Sequence, residues 1–164
     1  MQRENKLFSP AIYDSWKPVQ LEKYKDLLPH IEKELKQCKT LLDLGVGKAW
    51  LEEFLENQGF KFKRVLGVDV NQEAVTPKRD YIEYLITYEP ELVDETFDLV
   101  VSFDSMHLLN CVDLCDYVKP KGFLLVSLPL KWKKEFDNLD LPVEPLAEGK
   151  IGSRETDYFK FWQV

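Results

Sequence analysis

At 164 residues, with 45% apolar and 31% charged side chains, the chain has the size and balance of one soluble globular domain. A net charge of -7 speaks against a basic nucleic-acid surface, which needs clustered Lys and Arg to neutralise phosphates. No apolar run approaches the roughly 18 residues that cross a bilayer, and the polar start Met1-Gln2-Arg3-Glu4-Asn5-Lys6 lacks the apolar centre of a secretory signal.

A helical spacing of apolar residues comes first: Trp16, Val19, Tyr24, Leu27, Leu28, Ile31 and Leu35. Pro29 removes a donor inside it, which predicts a kink or two short helices, the second opened by Pro29. Within a single domain, residues 1–39 are expected to form a helical cover and residues 40–164 the core. Residues 40–44 read as a first buried strand. The next helix spans 49–57, with Trp50, Leu51, Phe54 and Leu55 on its inner side and Glu52, Glu53 and Glu56 on its outer side. Gly59 is placed to cap its end.

A second strand covers 64–70, and Asn71 is placed to cap a short helix after it. Residues 81–86 form a third strand, and Phe97-Asp98-Leu99-Val100-Val101-Ser102-Phe103 a buried fourth. A helix over 106–118 closes at Lys119-Pro120-Lys121-Gly122. Strand five takes 123–128, stopped by Pro129, and 131–138 suit a short helix. Alternation at Gly149-Lys150-Ile151-Gly152 and Tyr158-Phe159-Lys160-Phe161-Trp162 predicts a closing hairpin, antiparallel at least in part. The fold class is α/β: a three-layer sandwich around a doubly wound, mostly parallel sheet with a C-terminal antiparallel hairpin.

Two strands end in an acid: Leu41-Leu42-Asp43-Leu44-Gly45-Val46-Gly47 and Val65-Leu66-Gly67-Val68-Asp69. A parallel sheet builds a nucleoside pocket at such carboxyl ends. The glycines let backbone approach a ligand, and the second acid can accept two hydrogen bonds from a ribose diol. A phosphate-cradling loop would need glycine five residues before Gly47-Lys48 and a hydroxyl after it; Leu42 and Ala49 stand there. A dinucleotide turn would need glycine at position 50, which is Trp. A nicotinamide-dependent oxidoreductase is therefore a poor match.

With Phe97-Asp98-Leu99-Val100-Val101-Ser102 and Val118-Lys119-Pro120-Lys121-Gly122-Phe123-Leu124-Leu125-Val126, these segments resemble the ordered motifs of class I S-adenosylmethionine-dependent methyltransferases. The resemblance covers roughly residues 40–128 and implies a Rossmann-like methyltransferase fold with S-adenosylmethionine as cofactor. It implies that Asp43, Leu44, Gly45, Val46 and Gly47 approach the methionine part, and that Asp69, with Val70, binds the ribose. Phe103 belongs to the segment after strand four that touches cofactor and substrate. Ala49 departs from a usual third glycine, and Lys121 from a common glycine before strand five. The acid near the adenine has no clear match; Thr87 and Glu89 are the available residues.

Methyl transfer from a sulfonium is a direct displacement, so alignment supplies much of the rate and a catalytic side chain is optional. Asp104 and His107 are the catalytic candidates, His107 as a base near neutrality and Asp104 as a ligand or helix cap. No Asn/Asp-Pro-Pro-Tyr sequence is present. Tyr13 and Trp16 are candidates for lining the substrate side, and Tyr88 is a third aromatic to place. His107, Cys111 and Cys115 share a helical face, but the outer pair stands ~12 Å apart at ~1.5 Å per residue, too far for one zinc ion. No metal is expected.

Three cysteines, an odd count without secretory context, favour a cytoplasmic setting. The expected acceptor is a small molecule or a protein rather than nucleic acid, with no membrane association. The alternative is a methyltransferase-like binding or scaffold subunit with a protein partner, motivated by Ala49 and the missing adenine-side acid.

Overall fold

The computed structural model describes residues 14–105, 114–139 and 141–164. Helix α1 spans Lys17–Leu35 without interruption. Pro18 sits in its first turn, where the missing N–H has no intrahelical partner to lose. Pro29 lies inside α1 and does not divide it, so of the expected kink or two short helices the second is overturned. Pro29 and Lys25, whose carbonyl loses that donor, are both exposed, so water can take the vacant acceptor. The inner side carries Lys23, Tyr24, Leu27, Ile31 and Leu35.

Strand β1 (Thr40–Leu44) leads to α2 (Trp50–Asn57), β2 (Arg64–Asp69) and β3 (Ile82–Ile86). Gly59 closes α2 as expected, at φ +91°, with the Phe60 N–H reaching the Leu55 carbonyl at 3.0 Å. After β2 the chain forms turns rather than a short helix. Asn71 accepts the Glu73 N–H at 2.9 Å, a local bond that competes with helix formation.

Strand β4 (Phe97–Phe103) matches its expected bounds. Strand β5 runs Val118–Pro129, longer than expected, because Val118 already pairs with Phe97. The next pair is Leu99 with Phe123, so Lys119, Pro120, Lys121 and Gly122 loop out of the strand and do not precede it. Residues 106–113 of the expected helix lie outside the described residues. The described end is a single tight turn, Leu114–Tyr117. A further turn, Leu130–Trp132, leads into α3 (Lys133–Asp137). The hairpin β6 (Ala147–Ile151) and β7 (Asp157–Gln163) follows.

The strands form one seven-stranded sheet in the order β3-β2-β1-β4-β5-β7-β6. Strands β1 to β5 pair in parallel; β7 runs antiparallel to both β5 and β6. One apolar cluster joins α1 and α2 to one face through Leu41, Val65, Leu99, Val101 and Leu125. On the other face Leu42, Leu44, Val68, Val100, Leu124 and Trp162 form a second cluster. Burial of strands on both faces explains their nearly continuous apolar sequences. No described helix is long and apolar enough to cross a membrane.

Candidate active site

The chain leaves β1 toward β2 on one side and returns from β3 to β4 on the other. The crevice between the carboxyl ends of β1 and β4 is therefore the switch point where open α/β sheets take ligands. The glycine turn over it is built from backbone bonds. The N–H groups of Gly45 and Val46 both donate to the Val68 carbonyl, at 2.7 and 3.0 Å. Gly45 has φ +91°, and a Cβ there would stand 2.2 Å from the Ser105 Cβ. Glycine at 45 thus lets the segment after β4 close onto the turn. Ser105 locks it, its hydroxyl donating to the Leu44 carbonyl at 2.5 Å.

Asp69 faces the same turn. Its Oδ2 accepts the Gly47 N–H at 2.9 Å and its Oδ1 the Asn71 N–H at 3.0 Å. Burial raises the Asp69 carboxyl, against the pull of those amides. The Val70 amide acts on it too, and a carboxylate with about four acceptor sites keeps room for a further donor. The Arg79 guanidinium braces the end of the turn, reaching the Lys48 carbonyl at 3.2 and 3.3 Å and Glu53 at 2.5 Å. Ala49 is fully buried and left-handed, with φ 57° and ψ 37°, which costs a non-glycine residue about 1 kcal/mol.

The other candidates divide clearly. Leu44 has no exposed surface and belongs to the second core cluster, so only its backbone reaches the turn. Val46 is buried against Gly67, whose absent Cβ makes room for it. Val70 is partly exposed beside Asp69. Phe103 packs edge-on against Tyr24, ring centres 5.0 Å apart, beneath α1. Trp16 is 47% exposed at the start of α1, and Tyr88 is 68% exposed. Thr87 lies near the Asp69 end of the sheet, its N–H bonded to the Asp69 carbonyl at 2.8 Å. Tyr13, His107 and Cys111 lie outside the described residues.

Asp104 takes part in a cluster that the sequence did not announce. The Lys23 ammonium, with no exposed surface, donates to Asp104 Oδ2 at 3.2 Å, Glu155 Oε1 at 3.0 Å and Asp157 Oδ1 at 3.0 Å. Gln20 adds a second donor to Asp104 at 3.2 Å, and Ser127 donates to Asp157 at 2.7 Å. Burial pulls the Lys23 ammonium down, but Asp104 and Asp157 outweigh it and the net shift is upward. Burial and Asp157 together push Asp104 well up. The three carboxylates lie within 4.8 Å of one another, a spacing a cation could use, and Lys23 already fills that place.

Comparison with known proteins decides the family. The model for a methyltransferase domain matches residues 42–126, more than half of the chain. The chain belongs to the methyltransferase domain family. Over 117 residues it is 32% identical to the ribosomal protein L11 methyltransferase of Aquifex aeolicus, an alignment covering 66% of the chain. It spans only 47% of that relative's length. A SAM-dependent methyltransferase structure from the same organism superposes with a TM-score of 0.64 at 19% identity, covering 94% of this chain and 98% of that one. Another, from Clostridium acetobutylicum, gives 0.58 at 17% identity, covering 91% and 66%. The Rossmann-like fold of S-adenosylmethionine-dependent methyltransferases is therefore that of this chain.

The residues present fit that cofactor. Asp69 offers acceptors for a diol, and the Gly45 and Gly47 backbone leaves the turn open to close approach. Two buried charged residues beside the crevice, Lys23 and Glu52, are not among the residues that the sequence singles out. Lys23 occupies the same i, i+4 row as Val19, Leu27 and Ile31, and a lysine within an apolar row signals a buried counter-charge. Glu52, placed on the outer side of its helix, is only 3% exposed. At ~100° per residue it lies ~60° beyond Leu55, at the edge of the buried stripe.

Proposed function

We propose that this methyltransferase binds S-adenosylmethionine in the crevice at the carboxyl ends of β1, β2 and β4 and passes its methyl group to a small molecule or a protein. The observation that carries the reading is the joining of Asp69 to the Gly47 amide at 2.9 Å. That bond holds an acid with spare acceptor capacity beside an open glycine turn. When bound, the cofactor supplies an electrophilic methyl group on sulfur. What this chain contributes is alignment: Arg79 and Ser105 hold the turn, and Lys23 fixes Asp104 and the segment that follows β4.

His107, three residues beyond Asp104, is the proposed base for an acceptor that must lose a proton. A protein acceptor is supported by the similarity to an L11 methyltransferase, and the net charge of -7 disfavours nucleic acid. Calorimetry with S-adenosylmethionine and S-adenosylhomocysteine tests the cofactor; no binding of either at millimolar concentration overturns the reading. Radiolabelled methyl transfer into an extract separated into small molecules, protein and RNA identifies the acceptor class. Label confined to RNA would overturn the acceptor proposed here.

A further inference from the structure

Asp43, on β1 beneath the glycine turn, and Glu52, in the first turn of α2, are each 3% exposed. Asp43 Oδ1 and both Glu52 oxygens are sealed from solvent and have no hydrogen-bond partner among the described residues. Two neighbouring buried anions without a donor make an arrangement that protein interiors avoid. One proton removes the conflict, because a carboxylic acid donates where a carboxylate only accepts.

The described surroundings offer no other remedy. Asp69 at the end of β2 adds negative charge toward Asp43. Arg79 acts on Glu52 through its charge, while its Nε and Nη2 hydrogens go to Glu53 and the Lys48 carbonyl. From α1, Lys17 is bound to Glu53 at 3.1 Å. Tyr81 and Tyr84, from the β3 side, face the acids as neutral phenols, both with raised titration points. On β4 the residue paired with Asp43 is Val101, which carries no charge. Burial, then the charge and hydrogen bond of Glu52, push Asp43 well up; burial also raises Glu52.

We infer that Glu52 is a positioning residue: it shares one proton with Asp43, carried on Asp43, and the shared proton holds the end of β1 in the form that receives the cofactor. The binding arm of the test rests on the methyltransferase reading; the unfolding arm does not. Calorimetric Kd values for S-adenosylhomocysteine are compared for wild type and Glu52→Gln across roughly pH 5 to 8.5. The glutamine amide keeps a donor toward Asp43 at every pH. Wild-type Kd should rise by up to about tenfold per pH unit once the shared proton leaves, while the variant stays level. The ligand's own amino group titrates alike in both, so parallel curves overturn the proposal.

If wild type binds no cofactor at any pH, the methyltransferase reading fails and thermal unfolding decides this one. The native pair keeps a proton that the unfolded chain gives up at ordinary carboxyl pH, so native stability falls as pH rises from about 4. The wild-type Tm should therefore drop relative to Glu52→Gln over that window; identical profiles overturn the shared proton. Should Glu52→Gln fail to fold, Asp43→Asn supplies the donor from the other side and carries the same unfolding comparison.

Discussion

Lys23 and Glu52 are charged side chains enclosed under the same face of the sheet, one on each helix that covers it, and they are satisfied in opposite ways. Around Lys23 a cation does the work: one ammonium meets three carboxylates, with Gln20 and Ser127 as further donors, and Asp104 Oδ1 and Gln20 Oε1 are left without a partner among the described residues. Around Glu52 described donors are missing, and the remedy is a proton. The Lys23 cluster ties α1 to the end of β4 and to the hairpin. The Asp43–Glu52 pair lies under the glycine turn. A cation fixed to the chain holds the first, and a proton, which can leave, holds the second.

The largest test turns the first cluster into a version of the second. Lys23→Met leaves three carboxylates without their cation and should cost about 3–5 kcal/mol in urea unfolding at neutral pH. A loss under 1 kcal/mol would mean the ion cluster is incidental. Next, Asp69→Ala removes the acid that faces the turn but no buried charge pair. Its Kd for S-adenosylhomocysteine should weaken about a hundredfold with far-UV circular dichroism unchanged. Unchanged affinity would place the pocket elsewhere.

Asp98 gives a carboxylate satisfied by backbone, between the two extremes. It accepts the Lys39 N–H at 2.8 Å and the Thr40 N–H at 3.0 Å. Burial works upward on it, but those amides and Lys119 hold it below the usual range. A lowered carboxyl contributes stability above its unfolded value near 4 and loses it as pH falls through the folded value. Asp98→Asn should therefore cost about 1 kcal/mol at neutral pH, with the gap to wild type closing below about pH 3. This is the reverse of the slope expected for the Asp43–Glu52 pair. Smallest is Lys121→Gly, outside both clusters. Lys121 has φ 64°, so glycine should raise stability by about 0.5–1 kcal/mol, read as a higher Tm.

Strands β1 and β4 were readable to the residue because burial on both faces writes an apolar run with nothing to blur its ends. Strand β5 was shortened because Pro120 and Gly122 signal a turn, and one sequence cannot say that pairing exists on both sides of it. Pro29 leaves α1 undivided because the lost hydrogen bond falls on exposed helix, where water can replace it. The glycine turn and Asp69 stood out from local spacing alone. Lys23 with Asp104, Glu155 and Asp157 did not, since its members come from α1, the end of β4 and the hairpin, 134 residues apart at the extremes. Glu52 was missed because a charge at the margin of an apolar stripe reads as solvent-facing until the sheet beneath it is known.

The loop that leaves β5 has a practical consequence. Lys121 donates to the Val164 carbonyl and Val164 to that of Gly122, both at 2.8 Å, so the last residue is tied to the amino end of β5. The crevice opens at the other end of the parallel strands. Anchoring the protein to a sensor chip through Val164 would therefore present the glycine turn to solution, and ligand kinetics could be followed without the surface obstructing the mouth of the pocket.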